Sequence, residues 1–278
     1  MNISSFAKLL RYHLKSRINS HHLLWVCVTF SIMGLRVAIQ VAPKSSTFSE
    51  LFFFALGGPN NWNLSLLETL AWFIPYLIFF YLFGNMANEE LQQRGFLVFP
   101  LIGSRSAWWL SNVITMSILA ITYVILYILI LAMGTVIGCP MINLNLSTPV
   151  YFQDIWPNMV PITGIQILAI IFLLTTLTLF AMTSFQMTLS ILLKRSIYGF
   201  LCISIIALLS CILSIDRPWL TRWLPGSQSI LVRHTFIDST IPGFSLQWSL
   251  LYDSVLSLFS LIVGFLYIRR MDIYSSRD

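Results

Sequence analysis

Few side chains in this 278-residue chain could move protons or hold a ligand: ten acids, four histidines, and sixteen lysines and arginines. The densest acidic grouping is Glu89-Glu90-Leu91-Gln92-Gln93-Arg94, where neighbouring carboxylates beside a base could activate a water. His234 and Asp238 offer a second, weaker pair. The four histidines (His13, His21, His22, His234) are not spaced as metal ligands, and no His-Glu-x-x-His occurs. No lysine follows a glycine, so the phosphate-binding loop is missing and the chain cannot hold ATP in that manner. A Gly-x-Ser-x-Gly nucleophile elbow is missing as well. Two further ionisable residues, Arg36 and Asp253, fall inside apolar runs. They lie roughly 10 Å and 13 Å from the outer ends of those runs at about 1.5 Å per residue. A lone ion at such depth costs at least about 2.5–3.5 kcal/mol. The matching depths predict a mutual, structural pair, with Glu68 as a rival partner.

The elements that must carry these residues are membrane helices. The chain is 57% apolar and 14% aromatic but only 9% charged, against about a quarter charged in a soluble domain. Too few polar side chains remain to cover a surface in water. This excludes a soluble enzyme, a nucleic-acid-binding domain and a disordered chain, and the net charge of +6 is not a nucleic-acid footprint. Apolar runs over residues 23–42, 66–86, 108–138, 162–193, 197–215 and 246–268 each reach the roughly 20 residues needed to span a bilayer. The expected fold class is therefore an all-α polytopic membrane protein of one domain with six spans. The longest two spans should tilt or project.

Six spans place both termini on one side, together with Lys8, Arg11, Lys15, Arg17, Arg94, Arg105, Lys194, Arg195, Arg269, Arg270 and Arg277. Only Lys44, Arg217, Arg222 and Arg233 fall on the other side. The positive-inside rule then predicts a plasma-membrane protein with cytoplasmic termini. Before the first span, Phe6, Leu9, Leu10, Leu14 and Ile18 recur at helical spacing opposite Lys8, Arg11 and Lys15. This predicts an interfacial helix over residues 5–19, lying against anionic lipid. Lys194-Arg195-Ser196 predicts a tight hairpin. Residues 43–65 and 216–245 mix short apolar runs with Pro, Gly and Trp, which suits short helices in the outer leaflet. Cys27, Cys202 and Cys211 lie in spans and Cys139 near the outer surface, so no disulfide framework is implied.

Two resemblances compete for the Glu89–Arg94 stretch. Its Glu-Glu-x-x-x-Arg pattern is similar to that of intramembrane metalloproteases of the CAAX-processing type, in which paired acids and two histidines activate water. This chain has no second intramembrane histidine, and the charge bias puts His234 on the opposite face from Glu89. The longer run EELQQRGFLVFPLIGSRSAWWLSN (residues 89–112) resembles the first cytoplasmic loop of ABC-transporter permeases of the ABC-2, or type V, exporter family. Its most specific part is Gly103–Ser111, and WLPGSQSILVRH (residues 223–234) is similar to the region before the last helix in such permeases.

That resemblance implies an N-terminal elbow helix, six spans, a coupling helix between spans two and three, and outer half-helices before the last span. It implies a transport subunit that is not itself an enzyme and holds no cofactor, with ATP and Mg bound by separate ATP-binding cassette ATPase subunits. A second permease copy or homologue would complete the dimer, and the substrate would be a hydrophobic or amphiphilic peptide, lipid or small molecule. Glu89, Glu90, Arg94, Phe96, Phe99 and Arg105 would form the ATPase-coupling segment. A secondary transporter is the other class open. It should show inverted repeats or several charges along a midplane path, and neither is visible.

Overall fold

The computed structural model describes residues 3–41, 47–59, 66–92, 104–138, 146, 149–150, 162–213, 218–237 and 243–271. The chain is mostly helical: α1 (Ile3–Arg17), α2 (Ser20–Arg36, continued by a π-helical turn Val37–Val41), α3 (Phe48–Leu56), α4 (Leu66–Phe83), α5 (residues 86–92), α6 (Arg105–Gly138), α7 (Gly164–Leu192), α8 (Ser196–Ile212), α9 (Pro218–Thr221) and α10 (Leu246–Arg270). Two short antiparallel strands, Pro149–Val150 and Ile162–Thr163, lead into α7.

Among the described residues, five helical stretches are long and apolar enough to cross a membrane: His21–Ile39, Leu66–Gln92, Arg105–Gly134, Gly164–Leu192 and Leu246–Arg270. The protein is an all-α, multi-pass membrane protein. Leu24, Trp25, Ile32 and Leu35 on α2, and Leu251, Val255, Leu258 and Ile262 on α10, are exposed. An apolar outer surface of this kind belongs in hydrocarbon. The fifth expected span corresponds to α8, whose 17 residues leave it outside those five stretches.

α7 is central and packs against α10, α8, α6, α4 and α3, while α2 lies on α6. Small residues set the closest approaches. Gly34 of α2 meets Gly134 of α6 backbone to backbone, and Gly264 of α10 faces Trp109 and Thr188. With lipid as solvent there is no hydrophobic drive between helices, so such close van der Waals contact and interhelical hydrogen bonds hold the bundle. Thr188 donates to the Ser260 carbonyl (2.8 Å), and Trp109 donates to the Leu261 carbonyl (3.2 Å).

Local chemistry explains the ends. Thr47 and Glu50 form a capping box on α3, and Thr163 and Gln166 form one on α7. The α7–α8 hairpin turns at Lys194, whose φ of 55° lies in the left-handed region. α1 starts two residues earlier than the expected elbow and ends at Arg17. Ile18, assigned to its apolar face, is exposed. Leu9, Leu10, His13 and Leu14 form the inward stripe instead, as their i, i+3, i+4 spacing requires.

Candidate functional site

The helix that begins with α4 breaks before it ends. Gly84-Asn85 form a turn, and α5 resumes over residues 86–92. Two polar side chains of α7 stabilise the break. Gln186 donates from Nε2 to the Phe80 carbonyl and to Asn85 Oδ1 (3.1 Å each), and Ser190 donates to the same Asn85 oxygen (3.1 Å). Gly84 leaves room for this arrangement, because a Cβ there would displace the Gln186 carboxamide.

α5 is held from three sides. From α1, Arg17 donates to Glu89 Oε2 (2.9 Å) and to the Met86 carbonyl (2.7 Å). From the α7–α8 hairpin, Ser196 receives a bond from Asn88 (2.8 Å), and the Lys194 carbonyl receives one from Gln92 (2.8 Å). From α6, Trp108 Nε1 donates to Glu90 Oε2 (2.9 Å), with Asn112 Nδ2 at 3.5 Å and His13 Nδ1 at 3.4 Å from the same oxygen. Glu90, His13, Trp108 and Asn112 are all buried. Burial and the neighbouring Arg17 push the His13 imidazole down to about 4, so the ring is neutral at pH 7. Arg105, at the start of α6, donates to the carbonyls of Ile268, Arg269 and Met271 at the end of α10. A cation there also complements the C-terminal end of the helix dipole.

One end of the bundle thus gathers α1, α5, the start of α6, the α7–α8 turn and the end of α10 into one hydrogen-bonded assembly. Of the expected coupling residues, Glu89, Glu90 and Arg105 lie in it, while Arg94, Phe96 and Phe99 lie outside the described residues. Glu90, expected in the coupling segment, is buried. It is an interior residue, because the Trp108 indole can find its acceptor there only if the carboxylate turns inward. His13 and Arg17 were not among the expected site residues. Their signal was present, since both sit on the inward stripe of α1 four residues apart, but a reading that grouped polar residues on the outer face passed over them.

The far end holds a second polar group. Arg233 is buried and donates to the carbonyls of Ser210 (2.6 Å) and Cys211 (3.1 Å) and to Ser227 Oγ (2.6 Å), closing the end of α8. Burial pushes its guanidinium down to about 9, so it remains charged at pH 7. His234, pushed down to about 4 by burial, pairs through Nε2 with Ser249 Oγ (2.9 Å), which donates to Gln228 (2.9 Å). Asp238, its expected partner, lies outside the described residues. The protease geometry is not assembled. His234 contacts Ser249 near the start of α10, whereas Glu90 sits by Trp108 at the other end, next to Arg105 and Ile268. Nineteen helical residues separate those two levels, about 28 Å, and among the described residues no group of three metal-ligating side chains forms.

The expected Arg36–Asp253 pair does not form either. Among the described residues Arg17–Glu89 is an ion pair, and the neutral His13 ring lies 3.4 Å from Glu90. Asp253 instead accepts from Thr178 Oγ1 through Oδ2 (2.6 Å), while Arg36 lies in electrostatic reach of Tyr127 and Glu68. Equal depth did not bring the two together because they belong to non-adjacent helices: α2 packs on α6 and α4, whereas α10 packs on α7 and α6.

No curated protein matches the sequence. Residues 23–274 match the family model described as "Protein of unknown function (DUF2705)", and the chain belongs to that family.

Proposed function

We propose that the chain is the membrane-spanning permease subunit of an ATP-driven exporter in the plasma membrane, working as a dimer of permeases with separate cytoplasmic ATPase subunits. In this reading α8 also spans the bilayer, as the fifth of six, both termini are cytoplasmic, and a hydrophobic or amphiphilic molecule is moved. The chain then has no reaction of its own, and ATP and Mg belong to the partner.

One observation carries the reading: the clamping of α5, at the head of the loop between α4 and α6, by α1, α6 and the α7–α8 hairpin. A subunit without a nucleotide site must be driven from outside, and force passes only through packed, hydrogen-bonded elements. A push on this loop would reach α4 directly, α7 and α8 through Lys194 and Ser196, and α10 through Arg105. The Gly84-Asn85 break is where the pushed segment could pivot relative to the span.

The test is ATP hydrolysis by the chain purified alone and by the chain co-purified with its ATPase. No hydrolysis alone, stimulated hydrolysis in the complex, and loss of stimulation in Arg17→Ala with assembly retained are expected. Hydrolysis by the isolated chain, or peptide cleavage that disappears in Glu90→Gln, contradicts the proposal. For the topology, single cysteines replacing the exposed residues Lys194 and Arg222 are exposed to an impermeant thiol reagent in intact cells. Labelling at position 222 alone is expected, and labelling at 194 alone reverses the orientation.

A further inference from the structure

The far half of the bundle contains a buried carboxylate, Asp253, that forms no salt bridge among the described residues. Asp253 is fully buried, and its Oδ1 has no hydrogen-bond partner among the described residues. Among the described arginines of that half, both terminal nitrogens of Arg233 bond at the end of α8, Arg36 lies in electrostatic reach of Tyr127 and Glu68, and Arg222 lies over the Trp248 ring. A second orphan lies nearby. The Tyr76 hydroxyl, on a side chain only 4% exposed, is in electrostatic reach of Asp253 and faces Ser229 and Thr175 without a well-formed bond to either. Thr178 gives its proton to Asp253 Oδ2 and keeps its oxygen lone pairs. Tyr76 also stacks on Trp72, with ring centroids 4.3 Å apart.

A buried charge left unpaired costs several kcal/mol, and an ionisable residue at membrane depth marks a path or a ligand. The atoms available here are one carboxylate oxygen and two hydroxyl oxygens beside a pair of stacked aromatic rings. That set matches a primary ammonium, which has three N–H donors, one positive charge and an affinity for aromatic faces. The cover is the turn Pro225–Ser229: Ser229 lies beside Tyr76, and Gly226 rests against the Trp72 ring.

We propose that Asp253, Tyr76 and Thr178 form the site that receives the organic ammonium group of the transported molecule, beneath the Pro225–Ser229 turn. This rests on the permease reading and narrows its substrate to cationic amphiphiles. Selectivity comes from Asp253, since an alcohol or a fatty acid of equal length leaves the carboxylate uncompensated.

The test is equilibrium binding of radiolabelled decylammonium to the purified full chain in phosphatidylcholine nanodiscs, with decanol and decanoate as competitors. Saturable binding is expected, which neither competitor displaces at equal concentration. Asp253→Asn should weaken it about 30-fold or more, as truncating one partner of a buried charge pair does. Tyr76→Phe and Thr178→Val should weaken it several-fold, and they serve if Asp253→Asn fails to fold. Unchanged binding in the folded variants overturns the proposal, as does equal displacement by decanol. A carboxylic-acid infrared band, assigned by its loss in Asp253→Asn, that persists at saturating decylammonium also overturns it, because the occupant is then a proton. Binding needs no ATPase, so its loss refutes the site alone, whereas absence of ATPase stimulation refutes the exporter reading.

Discussion

Replacing Glu90 distinguishes a structural carboxylate from a catalytic one, and the geometry sets the size of the effect. Glu90 Oε2 takes one strong bond from Trp108 Nε1 (2.9 Å) and two longer contacts, from His13 (3.4 Å) and Asn112 (3.5 Å). Glu90→Gln keeps an acceptor oxygen for the indole and loses the charge. A hydrogen bond to a charged group contributes about 1.5–3 kcal/mol and a neutral one about 0.5–1.5, so the substitution should cost roughly 1 kcal/mol. Glu90→Ala removes the acceptor while the indole stays fully buried, adding a desolvation penalty of about 1–3 kcal/mol. The total is then roughly 3 kcal/mol. Removing both partners, as in Glu90→Leu with Trp108→Phe, should cost less than Glu90→Ala, because no polar atom is stranded. The assay is the denaturation midpoint in detergent, paired with hydrogen exchange of residues 86–92, which should rise in the order Gln, then Ala. Equal effects of Gln and Ala, or strict additivity of the Glu90 and Trp108 changes in a double-mutant cycle, would falsify the shared node. Complete loss of activity in Glu90→Gln with stability unchanged would point to catalysis instead.

Three further outcomes are expected. Both His13 and His234 have folded pKa values of about 4 against 6.5. Both are neutral above pH 6.5 whether folded or not, and as the pH falls from 6.5 towards 4 only the unfolded chain takes up protons. Each ring should therefore withdraw up to about 1.4 kcal/mol per pH unit in that window. The denaturation midpoint at pH 5 should lie below that at pH 7, and His13→Gln should flatten the slope; an unchanged slope contradicts burial of the neutral ring. Gly84→Ala should destabilise the protein by about 1–3 kcal/mol, since Gln186 must leave Asn85 and the Phe80 carbonyl to admit the Cβ, and Gln186→Ala in the same chain should recover part of the loss. Arg233→Lys should cost about 2 kcal/mol, because an ammonium cannot span the Ser210 and Cys211 carbonyls and Ser227 as the guanidinium fork does. Arg233→Ala, which strands those groups, should cost more, and a neutral Arg233→Ala refutes the capping role.

Composition and apolar run length determine the class of this protein by themselves, because 9% charged residues cannot cover a soluble surface and a run of about 20 apolar residues has few other uses. The starts of α3 and α7 also have a local cause, the capping boxes Thr47–Glu50 and Thr163–Gln166, but the apolar runs by themselves do not mark them. The interfacial helix α1 was legible as an amphipathic period. Its partner was not, since nothing in the spacing of His13 and Arg17 says that Glu90 and Glu89, more than seventy positions away, fill the facing groove. Asp253 and Arg36 show the converse. Their depths are sequence properties, so each charge was recognisable, but a pair needs adjacent helices, and helix adjacency is set by close approaches such as Gly34 to Gly134 and Gly264 to Trp109. Those contacts depend on side-chain shape across the bundle, for which a linear pattern carries no term. Tertiary packing alone therefore decided that Glu90 turns inward, that Asp253 meets Thr178, and that Arg105 closes the end of α10.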